Sequence, residues 1–234
     1  MDKIANIRGS FFTNKPVEID FTNSSKIIAA LNEYHLFAFP INGFSFQIGP
    51  SGMIPFKVNN YGFRNSDASL SITIGPDRVD VSICNSFDNT QNAFEETKTF
   101  CLKVLDAFHS CVNFKETRLA LASTWILASR NLDQVSKQLL GEDVPDNLIE
   151  WNNRRVERKA LDSICTTVNY GHQIVRGQVK LPTELMVSDR IVVETDINTI
   201  PLPQGFLNKE KDDAFFNNAV LISSEIVDNY YKKI

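Results

Sequence analysis

Alternation of apolar and polar residues predicts most of the strands in this chain. A period of two, which puts apolar side chains on one face of a strand, runs through residues 17–21, 44–48, 53–58, 70–74 and 79–83. Segments 49–52 and 75–78 break the pattern with Gly and Pro, which favour tight turns. The last four strands therefore predict two hairpins. A mostly apolar run over 118–127 predicts a central strand buried on both faces.

Apolar residues at helical spacing predict four helices. The longest covers 90–112, where one side carries Phe94, Cys101, Leu105, Phe108 and Val112. A second long helix is predicted over about 212–232, and shorter helices are predicted after the candidate N-caps Ser24 or Ser25 and Asn131. Three further extended stretches are predicted near 151–161, 163–176 and 189–200.

The order of these elements predicts the fold class. Runs of strands followed by a long helix, rather than strict alternation of strand and helix, are typical of an α+β fold with a mainly antiparallel sheet. We expect two similar halves, residues 1–130 and 131–234, each an antiparallel sheet covered by a long C-terminal helix and packed with the other as one globular unit. The two halves share no residue-level repeat.

Composition narrows the classes of function. With 234 residues, 43% of them hydrophobic, the chain can bury a core without a metal or disulfide. The net charge of −4 disfavours non-specific nucleic-acid binding. The four cysteines lack the paired spacings of zinc or redox motifs, and we expect them to be reduced and mostly buried. Without an apolar leader or a membrane-length apolar run, the expected location is cytoplasmic, with no membrane partner.

The sequence contains no motif that predicts an enzyme. Its three histidines, at positions 35, 109 and 172, are too scattered to suggest a catalytic pair or a metal site. Nucleophile elbows, phosphate-binding glycine loops and His-Glu-x-x-His motifs are all missing. Glu194 and Asp196 would point the same way from one strand, and we interpret them as a solvated face rather than a divalent-ion site. We therefore expect no catalytic residue, no cofactor and no metal.

Several short motifs resemble those of an uncharacterised, sporadically distributed bacterial family. They are a proline-led segment at 15–19, Gly62-Phe63-Arg64, the arginine-led strand Arg118-Leu119-Ala120-Leu121 and the run Val193-Glu194-Thr195-Asp196-Ile197. Members of that family continue the central strand with a second arginine, an aromatic residue and an asparagine, whereas this chain has Ala122, Ser123 and Thr124. The resemblance implies mobile-element or phage-defence biology, and it implies no known chemistry.

Arg64 and Arg118 are the residues at which the resemblance is most visible. Each is a candidate ligand-binding residue, because a guanidinium recognises anions with paired hydrogen bonds. The alternative interpretation is a structural salt bridge, with Asp67 or Glu116 as the partner.

A basic segment lies in the otherwise acidic second half. Arg154, Arg155, Arg158 and Lys159 are four cations within six positions, and an extended backbone would divide them between two faces. This pattern is typical of an exposed edge strand protected against aggregation. The functional alternative is a patch that binds an anion or an acidic partner.

These observations predict a non-enzymatic binding protein, first of all a protein-interaction or adaptor module with a protein partner. One alternative is a small-ligand sensor with a pocket between sheet and helix, anchored by Arg64 or Arg118. Another is nucleic-acid binding through residues 154–159, which the net charge makes less favourable. The oligomeric state is left open.

Overall fold

A computed structural model describes residues 3–49, 52–87, 89–127, 131–141, 145, 148, 150–179 and 186–232. The strands are β1 (Lys3–Phe12), β2 (Phe37–Gly49), β3 (Gly52–Arg64), β4 (Leu70–Ile74), β5 (Arg78–Phe87), β6 (Arg118–Leu127), β7 (Trp151–Leu161), β8 (Thr166–Val179) and β9 (Ser188–Thr199). The α-helices are α1 (Phe21–Ala30), α2 (Thr90–Cys111), α3 (Leu132–Leu140) and α4 (Lys209–Tyr231).

All nine strands belong to one antiparallel sheet in the order β2-β3-β4-β5-β1-β6-β9-β8-β7. The predicted α+β class and antiparallel sheet are confirmed. Where the sequence predicts a separate sheet in each half, the pairing of β6 with β9 joins the strands of both halves into one continuous sheet. β1 pairs with β6 at the centre of this sheet, where Arg8 lies opposite Ala122 and Ser10 lies opposite Ala120.

The strand predicted over residues 17–21 does not form. Val17 and Ile19 are buried, which explains the alternation, but residues 16–20 belong to no strand. The Asp20 side chain instead accepts the backbone N–H of Asn23 at 2.6 Å and caps α1, so neither candidate serine is the cap. The first strand is β1, which the sequence reasoning did not identify.

Most other elements lie where the sequence predicts them. Both hairpins form, with Gly49 opposite Gly52 in the first and the Gly75 N–H donating to the Arg78 carbonyl in the second. β6 has the predicted bounds, and α2 ends one residue earlier than predicted. Asn131 caps α3 by accepting the backbone N–H of Gln134.

The helices cover one face of the sheet, which we call the covered face. α2 packs on β1 and β5, α4 packs on β6 and β9, α1 contacts α2, and α3 contacts β9. A Cβ added to Gly9 would lie 2.3 Å from the Cys101 Sγ of α2 and 3.6 Å from the Phe216 ring of α4. Glycine at this position of β1 therefore lets both long helices approach the sheet centre.

The cysteines are all free, but the expectation that most are buried is wrong. Cys101, on α2, is buried against the sheet, Cys111 is half-buried, and Cys84 and Cys165 are exposed. No helix within the described ranges is both long and apolar enough to cross a membrane.

Candidate functional site

The side of the sheet opposite the helices, here called the open face, carries the polar half of each strand. On β1, Ala5, Ile7 and Phe11 are buried under the helices, whereas Arg8 and Phe12 alternate with them and point the other way. Register places the open-face residues of the neighbouring strands beside these two. One sheet therefore has an apolar covered face and a polar open face.

A cavity of about 370 Å³, the open-face cavity, lies over the central strands, and every residue lining it belongs to a strand. Its open-face side chains are Arg8, Ser10, Phe12, Arg78, Arg118, Ala120, Ala122, Thr124, Arg154, Gln173, Glu194 and Asp196, and Gly171 also lines it. The small residues Ala120, Ala122 and Gly171 give the cavity its depth. Ala122 stands where the resembled family has a second arginine.

Three arginines, Arg8, Arg78 and Arg118, line this cavity. Arg78 and Arg118 meet at Phe12 at one end and are here called the arginine cluster, whereas Arg8 lies two open-face positions away from Phe12 along β1. Phe12 lies between two of these cations, with its ring centroid 4.9 Å from the Arg118 Cζ and 6.0 Å from the Arg78 Cζ. Arg78 Nε is also 3.0 Å from an Asp80 carboxylate oxygen. The aromatic ring and the carboxylate thus hold the guanidinium groups in place.

Hydrogen bonds extend from this cluster across the sheet to β7. Arg118 Nη2 donates to Asn198 Oδ1 at 2.8 Å, and Asn169 Nδ2 donates to the same oxygen at 3.0 Å. Asn169 Oδ1 in turn accepts from Arg158 Nε at 2.8 Å. Asn198 Nδ2 donates to Asp196 Oδ1 at 3.0 Å. The network links Arg118 to Arg158 through side chains of β8 and β9.

The open-face cavity also contains carboxylates. Glu194 and Asp196 lie on the same face, as the alternation of β9 predicts, and Gln173 Nε2 donates to Glu194. Among the described residues, no group of three or more His, Cys, Asp or Glu side chains is arranged to hold a metal ion. The cavity therefore presents cations at one end and two hydrogen-bonded carboxylates nearer β7 and β8.

The structure brings together some of the predicted site residues. Arg118 and Arg154 line the same cavity, and Arg158 lies on the same face. The cavity residue Arg118 has Asn198 as its hydrogen-bond partner, whereas Glu116, its expected structural partner, bonds His109 at 2.8 Å.

Three predicted site residues lie elsewhere. Arg64 is on β3, three strands from β1, and its Cζ lies 5.0 Å from the ring centroid of Phe39. Arg155 lines a separate cavity of about 240 Å³ on the covered face, beside His172. Lys159 forms a 2.5 Å ion pair with Glu157. The basic segment is therefore divided between two faces, as the strand pattern predicts.

Sequence reasoning missed Arg8, Phe12 and Arg78, which line the cavity together with Arg118. The signal for β1 is present over residues 5–11, where the apolar odd-numbered positions alternate with the polar even-numbered positions. Arg78 lies in the predicted turn 75–78. That position does not indicate a contact with Arg118, which is 40 positions further along the chain.

A second polar cluster lies on the helix side, at the end of α2 and the start of α4. The pKa of His109 is raised, chiefly by its hydrogen bond to Glu116. Burial, with the nearby Glu116 carboxylate, raises the pKa of Asp212 to about 8. Asp212 is only 2% exposed, and its Oδ1 has no hydrogen-bond partner among the described residues. The burial of Asp212 is therefore a cost to folding at neutral pH.

Comparison with known proteins gives no family assignment: no protein-family model, no curated protein and no solved structure matches this chain. The family resemblance described above therefore rests on its short motifs alone. The side-chain chemistry of the open face is therefore the basis for a proposed function.

Proposed function

We propose that this chain is a non-enzymatic binding protein that holds an anionic group in the open-face cavity. The observation that carries the proposal is the arginine cluster, in which Arg78 and Arg118 flank the ring of Phe12. Guanidinium groups recognise carboxylates and phosphates through paired hydrogen bonds. Their prior contacts with Phe12, Asp80 and Asn198 lower the ordering cost of binding.

The two carboxylates of the cavity restrict what it can hold. Glu194 and Asp196 would repel a second negative charge placed over β9. The preferred group is therefore a single carboxylate or phosphate with a neutral or cationic neighbour. A long polyanion such as nucleic acid fits this arrangement less well, and the ion pair between Lys159 and Glu157 further reduces the positive charge of segment 154–159.

The anionic group has two sources, and we infer that a protein partner carries it. The support is that the described residues lining the cavity all belong to strands, whereas the helices pack on the covered face. The cavity is therefore open to a large molecule. This is the adaptor role. A free small molecule is the second candidate, because a volume of about 370 Å³ lies within the range of small-ligand sites, roughly 300–1,000 Å³.

We also infer that the halves 1–130 and 131–234 are similar units. The support is their element order: a short helix, a run of antiparallel strands and a long helix occur in both, from α1 to α2 in the first half and from α3 to α4 in the second. A cytoplasmic location stays a prediction from the sequence, and bacterial origin and a defence-linked role stay predictions from the family resemblance.

The decisive experiment compares wild type with the double variant Arg78→Gln/Arg118→Gln. Affinity purification from the native host followed by native mass spectrometry should show a stoichiometric protein partner with wild type and none with the double variant. Lys26→Gln, an exposed change on α1, is the matched control and should retain the partner. Circular dichroism checks that all variants fold.

A second measurement separates the two sources of the anion. Inorganic phosphate and succinate are added to the purified chain, and thermal unfolding is recorded. A wild-type melting temperature that rises with either anion, and does not rise in the double variant, supports the cavity as an anion site. A bound small molecule in the mass spectrum would favour the sensor role. Equal partner capture by wild type and double variant, without anion stabilisation, would overturn the proposal.

A further inference from the structure

The strand β7 (Trp151–Leu161) is an edge strand of the sheet. It lies at the end of the strand order, and β8 is the only described strand that pairs with it. Residues 154–160 are all exposed, and Val156 is 50% exposed although it is apolar. An edge strand presents a row of backbone N–H and C=O groups that another extended chain can pair with. An exposed edge of eleven residues is long enough to accept a full partner strand.

The side chains along this edge are mainly cationic on both faces. Arg154 and Arg158 lie on the open face, opposite Gln173 and Asn169 of β8. Arg155 and Lys159 alternate with them on the covered face, where the one carboxylate of the segment, Glu157, also lies. Four cations therefore stand against one carboxylate within six residues.

This charge pattern disfavours a second copy of the chain as the added strand. Two-fold antiparallel pairing keeps each face continuous, so the register must centre on one residue of β7. Centring on Val156 sets Arg154 opposite Arg158. Centring on Glu157 sets that carboxylate opposite itself, and centring on Arg155 does the same for the guanidinium. Like charges directly opposite each other destabilise a strand pair.

We propose that β7 accepts an extended, acidic segment of a protein partner as a tenth strand of the sheet. Backbone hydrogen bonds to β7 would give affinity, as in other cases of strand addition. Asp or Glu side chains of the segment would meet Arg154 and Arg158 on one face and Arg155 on the other. Arg154 also lines the open-face cavity, but Arg155 and Arg158 do not, so the proposal goes beyond the anion site proposed above.

The test uses a fluorescein-labelled ten-residue peptide of alternating Glu and Thr, with the purified full chain. The unmodified peptide should bind in fluorescence anisotropy and slow hydrogen exchange at β7 amides. The same peptide N-methylated throughout keeps its charge but loses its N–H donors, and should bind at least tenfold more weakly. Arg155→Gln/Arg158→Gln should also weaken binding at least tenfold, whereas Lys26→Gln should not change it.

The single cavity variant Arg78→Gln separates this proposal from the proposed function, because it removes one arginine of the anion site. It should bind the peptide as wild type does, because Arg78 lies on β5 and outside the hydrogen-bond network that links Arg118 to Arg158. Equal binding of the N-methylated peptide, or unchanged exchange at β7, would show electrostatic attraction without strand pairing and would overturn the proposal. Concentration-dependent dimers that protect β7 without peptide would overturn it in favour of a second copy.

Discussion

The two faces of the sheet meet different demands, although the same strands build them. On the covered face of β1, Ile7 is 0% exposed beneath the helices, whereas its neighbour Arg8 is exposed on the open face. Burial of apolar surface stabilises the first face, at about 25 cal/mol per Å². The open face contributes little to this burial, so its side chains can serve recognition without a large loss of stability.

Polar groups are also handled differently on the two faces. On the covered face, Trp125 Nε1 donates to Ser123 Oγ at 3.0 Å, and Ser123 Oγ lies 2.7 Å from Thr195 Oγ1, which donates to Ser223 Oγ at 3.3 Å. These buried groups bond one another, as desolvation requires. On the open face, comparable bonds hold Arg78, whose side chain is 44% exposed, and the half-buried Arg118. The covered face uses hydrogen bonds to complete a core, and the open face uses them to position charge.

The largest expected effect on stability comes from truncating a buried side chain of the covered face. The adjacent residue, on the open face, provides the matched comparison. Trp125 is 0% exposed and packs against Phe94, with ring centroids 5.6 Å apart. Trp125→Ala should lower the free energy of unfolding by about 3–5 kcal/mol in urea denaturation. Thr124→Ala, on the open face of the same strand, should change it by less than about 0.5 kcal/mol. Similar losses from the two substitutions would contradict the division between the faces.

A smaller effect is expected from the carboxyl group buried on the helix side. The folded-state pKa of Asp212, about 8, lies above its ordinary value of 3.8. The folded state therefore holds the proton more tightly, so its stability should fall as pH rises from about 4 to about 8. Asp212→Asn removes this penalty and should stabilise the protein at pH 8 by about 1–2 kcal/mol. This is less than about 1.4 kcal/mol for each pKa unit of the shift, because the buried amide oxygen would also lack the hydrogen-bond partner that Oδ1 lacks among the described residues.

The measurement is urea denaturation of wild type and Asp212→Asn at pH 4, 6 and 8. The gain from the substitution should shrink toward pH 4, where the carboxyl is protonated in both states. His109 adds a separate pH dependence, because its raised pKa gives stability that is present below about pH 6.5 and lost as the histidine deprotonates at higher pH. Because the Asp212 carboxylate is one of the charges that raise the pKa of His109, this contribution is smaller in Asp212→Asn and does not cancel completely in the difference. A gain independent of pH would show that Asp212 is ionised in the folded state.

The sequence predicts the covered face far better than the open face, for a physical reason. Periodicity and capping are local signals. They predict both ends of β6 and of α2, and the start of α3, to within one residue. The error at 17–21 arose because alternating burial of Val17 and Ile19 also occurs in a loop packed on the core. The open-face cavity depends on register between β5, β1, β6 and β9, which no local pattern contains. Arg118 could therefore be singled out, but its grouping with Arg8 and Arg78 could not.

The smallest expected effect on stability comes from Phe12, on the open face. Phe12 is half-buried between two guanidinium groups, and such contacts are worth about 0.5–1 kcal/mol each at exposed sites. Phe12→Leu should lower stability by about 1 kcal/mol or less, yet weaken phosphate binding severalfold in isothermal titration, because Arg78 and Arg118 lose the ring that orients them. Phe12→Tyr keeps the aromatic ring and should retain affinity. If both substitutions left affinity unchanged, Asp80 and Asn198 alone would suffice to position the arginines, and the open face would owe its order to hydrogen bonds rather than to stacking.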